Sequence, residues 1–150
     1  MVYIGIDPGK NGGFAIIDDK GGVHVESWDN QEFAGNVRIA SNENIRVIAC
    51  VEKVGAMPGQ GVTSMFSFGK AAGFIEGVLT SCNVPFQLVP PATWKKEFSL
   101  IGGSKQKSIE VAKRLFPGVS LRRTNKCTVD HDGMAEALLL AEYARRRFGS

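Results

Sequence analysis

The stretch Tyr3-Ile4-Gly5-Ile6-Asp7-Pro8-Gly9 is an apolar run that ends on a carboxylate and passes at once into turn residues. This pattern predicts a buried strand that presents Asp7 at the edge of a sheet. A second apolar run, from Ile45 to Val51 and interrupted only by Arg46, ends in the same way on Glu52. If the two strands are neighbours, both carboxylates lie at one edge of the sheet.

A third group of acids lies near the C-terminus, where Asp130, Asp132 and Glu136 stand at the start of a strongly apolar helix. Asp132 and Glu136 are four residues apart and therefore share one helix face. Carboxylates brought together from three segments repel one another unless cations neutralise them, and Mg²⁺ prefers oxygen ligands. The acids therefore predict a metal-dependent phosphodiesterase site.

The composition is that of one soluble domain spanning residues 1–150, with 43% hydrophobic and 22% charged residues. No apolar run approaches the roughly 20 residues that span a bilayer, so we expect a cytoplasmic protein without a membrane partner. The three cysteines, Cys50, Cys82 and Cys127, lack the spacing of a zinc site. Cys50 and Cys82 are expected to be core or near-surface thiols in a reducing compartment.

Basic residues are concentrated late in the chain. Between Ser104 and Lys126 only Glu110 is acidic, and Arg145-Arg146-Arg147 add a basic terminus. Seven residues are basic in that interval: Lys105, Lys107, Lys113, Arg114, Arg122, Arg123 and Lys126. Acids that hold cations and bases that hold phosphates are the arrangement of a metal nuclease.

The hydrophobic patterns predict an α/β fold with five strands. The predicted strands cover residues 2–7, 12–18, 23–28, 45–52 and 86–89, and the predicted helices cover 31–43, 64–82, 92–98 and a segment that Ser104 caps and that runs to Leu115. The first three strands are expected to be antiparallel, and the later ones to alternate with helices. This order implies a mixed sheet with helices on both faces.

The helix over 64–82 carries Gly69, Gly73 and Gly77 at intervals of four residues. Small residues at this spacing allow close approach of another backbone. That backbone is either the helix of a second subunit or the chain's own sheet, and composition does not decide between them.

Five segments, taken in order, carry a family resemblance. They are Ile4–Gly9, Val51–Val54, Phe68–Gly73, the basic region formed by Trp94–Lys96 with Gly102–Ser108, and Asp130–Leu138. Together they resemble the Holliday-junction resolvases of the RuvC group, within the RNase H-like superfamily. The spacing of Asp132 and Glu136 resembles that of plant organellar and phage resolvases more than that of bacterial RuvC.

The resemblance implies an RNase H-like fold and a Mg²⁺-dependent endonuclease that cuts four-way DNA junctions by paired, symmetric nicks. Asp7, Glu52, Asp132 and Glu136 are expected to hold two Mg²⁺ ions per active site, for which Mn²⁺ would substitute. Symmetric nicks require two active sites, which a twofold homodimer supplies. Asp130 is interpreted as a helix cap rather than a ligand, and the role of His131 stays open.

Several residues are predicted to contact DNA. Lys107 is assigned to the scissile phosphate. The other predicted contacts are Lys10, Lys95, Lys96, Lys105, Arg122 and Arg123. Some relatives carry an aromatic wedge three residues after the second acid, where this chain has Gly55, so Met57, Met65 or Phe66 is the alternative wedge. Phe68 is predicted to pack in the core, and Phe66 is left between core and wedge.

Two other functions compete with junction resolution. Another RNase H-like nuclease, such as a flap endonuclease or an rRNA-processing enzyme of the YqgF type, would share the acids without needing a symmetric dimer. A noncatalytic junction-binding protein would not need the clustered acids at all.

Overall fold

The structure is a computed structural model that describes residues 1–42, 44–55 and 58–149. These residues contain five strands and five helices. The strands are β1 (Val2–Asp7), β2 (Gly13–Asp18), β3 (Val23–Ser27), β4 (Val47–Glu52) and β5 (Phe86–Val89). The helices are α1 (Asn30–Ser41), α2 (Val62–Ser81), α3 (Pro91–Glu97), α4 (Lys105–Leu115) and α5 (Asp132–Phe148).

The strands form one sheet in the order β3-β2-β1-β4-β5. The pairs β1–β2 and β2–β3 are antiparallel, whereas β1–β4 and β4–β5 are parallel. One apolar core lies between the sheet and α3, α4 and α5, and a second lies between the opposite face and α1 and α2. The predicted α/β fold, with a mixed sheet and helices on both faces, is confirmed.

The alternation of side chains along β1 and β4 decides where their acids point. Ile4 and Ile6 face α1 and α2, so the odd-numbered positions of β1 face α5. In β4, Val51 faces α1 and α2, and Glu52 therefore faces α5. Because Ile6 pairs with Val51 in a parallel register, Asp7 and Glu52 leave the sheet side by side on the α5 face.

Element boundaries differ slightly from those predicted. The predicted strand over 45–52 begins at Val47, since Ile45 is 40% exposed and lies before the sheet. The helix predicted over 31–43 ends at Ser41, and Glu43 lies outside the described residues. Ser104 caps α4 as predicted, with its hydroxyl accepting a hydrogen bond from the Lys107 N–H.

The first half of α2 stands away from both cores. Every residue from Gly61 to Lys70 is exposed, and the buried residues of α2 are Ile75 and Leu79. A side chain placed at Gly69, Gly73 or Gly77 would meet no atom within 4 Å. These glycines therefore do not seat α2 on its own sheet. Among the described helices, none combines the length and apolar character needed to cross a membrane.

Candidate metal centre and nucleic-acid surface

Three acids from three elements converge at the edge where β1 and β4 end. Asp7, Glu52 and Glu136 each offer a carboxylate oxygen, and these oxygens all lie within 4.8 Å of one another. All three side chains are partly buried. An all-oxygen donor set of this kind suits a hard divalent cation such as Mg²⁺.

Two glycines allow α5 to bring Glu136 to this edge. A Cβ at Gly5 would collide with the backbone of Ala137 and Ala141, so α5 lies directly on β1. A Cβ at Gly133 would collide with the Asn11 carbonyl and lie 2.8 Å from the Gly12 Cα, so the first turn of α5 lies on the turn after β1. The short range of these contacts fixes the depth at which Glu136 enters the site.

The acids perturb one another strongly. Burial, with the nearby charges of Glu136 and Glu52, raises the pKa of Asp7 to about 9. Burial and the charge of Glu52 also raise the pKa of Glu136, while Lys95 acts to lower it. A proton or a cation must therefore sit between these carboxylates, and bound metal would displace the proton. The donor set and its electrostatics thus fit a divalent cation.

Trp94 holds Glu52 in place. Its indole Nε1–H donates a hydrogen bond of 2.8 Å to Glu52 Oε2, and its ring is fully buried. In the sequence, Trp94 stands out only as part of a basic segment, and its bond to Glu52 was not predicted. The signal available was a single tryptophan in a short, otherwise polar helix, where a buried indole needs an acceptor. Lys95 Nζ lies 5.6 Å from the centre of the same ring, and its charge acts to lower the pKa of Glu136.

Asp132 is not a member of the converging group. Its carboxylate lies 3.4 Å from Lys105 Nζ, and its side chain is 33% exposed. Its charge nevertheless raises the pKa of Asp7, so it lies at the margin of the site. Of the four predicted ligands, the structure brings together Asp7, Glu52 and Glu136.

The start of α5 corrects the interpretation of Asp130. Its carboxylate forms a 2.6 Å ion pair with Lys113, and the helix cap is His131, whose Nδ1 accepts from the Met134 N–H at 3.1 Å. The prediction that Asp130 caps α5 is therefore wrong. Burial lowers the pKa of His131, and the charges of Arg123 and Lys105 act in the same direction.

The predicted phosphate contacts are spread over several parts of the surface. Lys10 is exposed in the turn that packs on α5, and Lys105 lies beside Asp132. Arg122 and Arg123 are exposed between α4 and α5, and Lys96 is exposed on α3. Lys107 is different, because it lines a groove with Glu97 and Arg146 at the other end of α5. The structure therefore places Lys105 beside Asp132, at the margin of the site, and Lys107 in the separate groove.

The predicted apolar contacts also divide. Phe66 is 71% exposed, which excludes it from the core. The prediction that Phe68 packs in the core is wrong, since it is 41% exposed and its ring borders Gly9 beyond the end of β1. Met65 is exposed on the same helix, and Met57 lies outside the described residues.

Solved structures of known resolvases share this architecture. RuvC of Thermus thermophilus in complex with a Holliday junction substrate matches with a TM-score of 0.62 and 16% identity, over 99% of this chain and 97% of that one. A second structure of Thermus thermophilus RuvC matches with a TM-score of 0.55 and 19% identity, over 98% and 96%. Fowlpox virus resolvase in complex with Holliday junction DNA matches with a TM-score of 0.56 and 21% identity, over 99% of both chains.

No protein-family model and no curated protein sequence matches this chain. At 16 to 21% identity the likeness to the solved structures concerns the fold. The chain therefore has the RNase H-like fold of RuvC and of the fowlpox virus resolvase, along nearly its whole length.

Proposed function

We propose that this protein is a structure-selective endonuclease that resolves four-way DNA junctions by paired, symmetric nicks. The observation that carries the proposal is the convergence of Asp7, Glu52 and Glu136 at the edge of a fold shared with resolvases. Two of the similar solved structures hold Holliday junction DNA, which makes that substrate the first to test.

Asp7, Glu52 and Glu136 would hold the divalent cations, for which we propose Mg²⁺, with Mn²⁺ able to substitute. Two bound cations would activate a water molecule and offset the charge that develops on the phosphate. Asp7 ends the central strand, and the charges of both Glu52 and Glu136 act on it, so we assign it as the ligand shared by the cations. Asp132 would complete the set only if its ion pair with Lys105 opens.

Lys95 and Lys105 are the proposed cationic groups nearest the scissile phosphate. Lys95 already influences Glu136, and Lys105 contacts Asp132. Two lysines at the rim of an acidic site attract the substrate backbone, which the carboxylates alone would repel. Lys10, Lys96, Arg122 and Arg123 would contact flanking phosphates.

Homodimerisation is the second part of the proposal. One chain carries one converging group of acids among its described residues, so paired nicks require two chains. The exposed half of α2 is the candidate contact, because it combines exposed Met65 and Phe66 with glycines that meet nothing in their own chain. Apolar surface of this kind is costly in water unless a partner or DNA covers it.

The test is incubation of the protein with a labelled synthetic four-way junction and Mg²⁺, with linear duplex and a single-strand flap as controls. Symmetric paired nicks in the junction, lost in Asp7→Asn while junction binding remains, are the expected result. Asn keeps the shape of Asp7 and removes its charge, so loss of cutting with retained binding assigns a metal ligand. Cutting of the flap in preference to the junction by a monomer would overturn the resolvase proposal in favour of another RNase H-like nuclease.

A further inference from the structure

A basic groove of about 270 Å³ lies on the α4 side of the molecule, apart from the acids. Its charged lining comes from Lys107 and Arg114 on α4, Arg146 on α5 and Glu97 at the end of α3. Val111, which is buried, forms part of its apolar floor. The lining therefore holds three cations and one acid.

The two flanks of α4 differ in how their charges are used. On one flank, Lys105 pairs with Asp132 and Lys113 pairs with Asp130. On the groove flank, neither Lys107 nor Arg114 forms an ion pair with any residue that the structure describes, and both side chains are exposed. Helical spacing of seven residues places these two cations on the same side, two turns apart.

Arg146 is held in a fixed position at the far wall of the groove. Its Nε donates to Glu142 at 2.9 Å, and its NH1 donates to Glu97 at 3.2 Å. Its guanidinium also lies 4.9 Å from the centre of the Phe98 ring. These contacts use two of the five N–H donors of the side chain. An ordered guanidinium with free donors loses little entropy when it binds a phosphate oxygen.

The groove lies at a distance that suits a duplex leaving the cutting site. Arg146 follows Glu136 by ten residues on α5, which corresponds to about 15 Å along the helix axis. A DNA duplex advances about 3.4 Å per base pair, so this separation spans roughly four pairs. The acids near one end of α5 and the groove near its other end are therefore separated along the helix by a length that a short stretch of one DNA backbone spans.

We propose that the groove holds a backbone phosphate of a junction arm through Lys107, Arg114 and Arg146. This inference rests on the proposed function for its substrate, but it assigns Lys107 to binding at a distance rather than to the scissile phosphate. The chemistry recognised is a phosphodiester within a DNA chain.

The experiment compares two double variants of the full chain that remove the same charge. Lys107→Ala/Arg114→Ala removes the unpaired groove cations, and Lys20→Ala/Arg38→Ala removes an exposed lysine and arginine from the β2–β3 turn and from α1, which packs on the opposite face of the sheet. Junction binding is measured without divalent metal over a range of salt concentrations. Relative to the matched control, the groove variant should bind roughly tenfold more weakly, and its slope of log affinity against log salt should be shallower by about two.

Equal slopes for the two double variants would overturn the groove assignment. The same phosphate chemistry could come from a small free anion instead of DNA. Titration with inorganic phosphate and with a mononucleotide, followed by thermal shift, tests this alternative. A shift that the groove variant loses while its DNA slope is unchanged makes the groove a small-anion site and overturns the DNA assignment. Cleavage in Mg²⁺ is measured separately. If the wild type cuts nothing but its salt slope still depends on the groove cations, the nuclease proposal is refuted and the groove assignment stands.

Discussion

The two longest helices, α2 and α5, differ in burial, and the difference is the opposite of what their apolar content would predict. Residues of α2 are the more apolar on average, yet its buried residues are Ile75 and Leu79. Nearly every residue of α5 from Gly133 to Ala144 is buried, although the helix ends in three arginines. The difference teaches that burial follows from what a helix can approach closely. Small residues at Gly5 and Gly133 let α5 lie on the sheet, whereas the small residues of α2 face open space.

The largest effect expected from this contrast concerns one acid on each helix. Glu136 on α5 belongs to the converging group, whereas Glu76 on α2 borders the far side of Glu52 in a small cavity. Glu136→Gln should slow single-turnover junction cleavage roughly a thousandfold, because a proposed metal ligand is lost. Glu76→Gln should stay within about threefold of wild type. Comparable losses in the two variants would show that α2 also builds the site.

Adding one methyl group should have opposite effects on the two helices. Gly5→Ala forces a Cβ into the backbone of α5 and should lower the free energy of unfolding by about 3 kcal/mol. Gly73→Ala meets no atom within 4 Å and should raise it by about 0.5 to 1 kcal/mol through helix propensity. Urea unfolding at low protein concentration measures both. A destabilising Gly73→Ala under these conditions would mean that α2 is packed more closely than described.

The burial of Asp7 against α5 should make metal-free stability depend on pH. The folded-state pKa of Asp7 is about 9 and its ordinary value is 3.8, so between these values the folded state binds a proton that the unfolded state has lost. Stability is therefore highest below pH 4 for this group, and it falls as pH rises through 9. Asp7→Asn should be more stable than wild type in EDTA, by about 1.5 kcal/mol at pH 5 and by a margin that grows as the pH rises to 8. An equal pH dependence in both proteins would remove Asp7 as its source.

A smaller loss of stability and of cleavage rate is expected when the hydrogen bond from α3 to Glu52 is removed. Trp94→Phe keeps most of the buried ring and removes the hydrogen bond to Glu52. Stability should fall by about 1 kcal/mol, and cleavage should slow by roughly tenfold because Glu52 is freer to move. Higher Mg²⁺ should partly restore the rate by holding Glu52 through the metal. A rate that Mg²⁺ does not change would indicate a structural role only.

The smallest effect on stability should come from the exposed half of α2. Phe66→Ser should change the free energy of unfolding of the monomer by no more than about 0.5 kcal/mol, because the ring is 71% exposed. The same variant should weaken self-association in sedimentation at micromolar concentration. Unchanged association would move the dimer contact away from α2.

The sequence was informative where one element decides the outcome. Strand alternation predicted the positions of Asp7 and Glu52, because each acid ends an apolar run whose face is set by its own pattern. The sequence was not informative where two elements must be placed relative to each other. Phe68 has the spacing of a core residue, but it lies in the first half of α2, which stands away from the sheet. The hydrogen bond from Trp94 to Glu52 joins residues 42 apart, so no local pattern identifies Glu52 as the acceptor.

The packing of α5 on β1 also has a consequence for how the protein is made. Residues 8–131 separate the two elements, so a ribosome completes all five strands before it reaches the helix that packs on the centre of one face of the sheet. Until α5 has been synthesised, that face is without its largest apolar cover, and Glu136 is not yet present beside Asp7 and Glu52. A nascent chain consequently lacks the complete group of three carboxylates, which assembles only when synthesis of α5 allows the last layer to close.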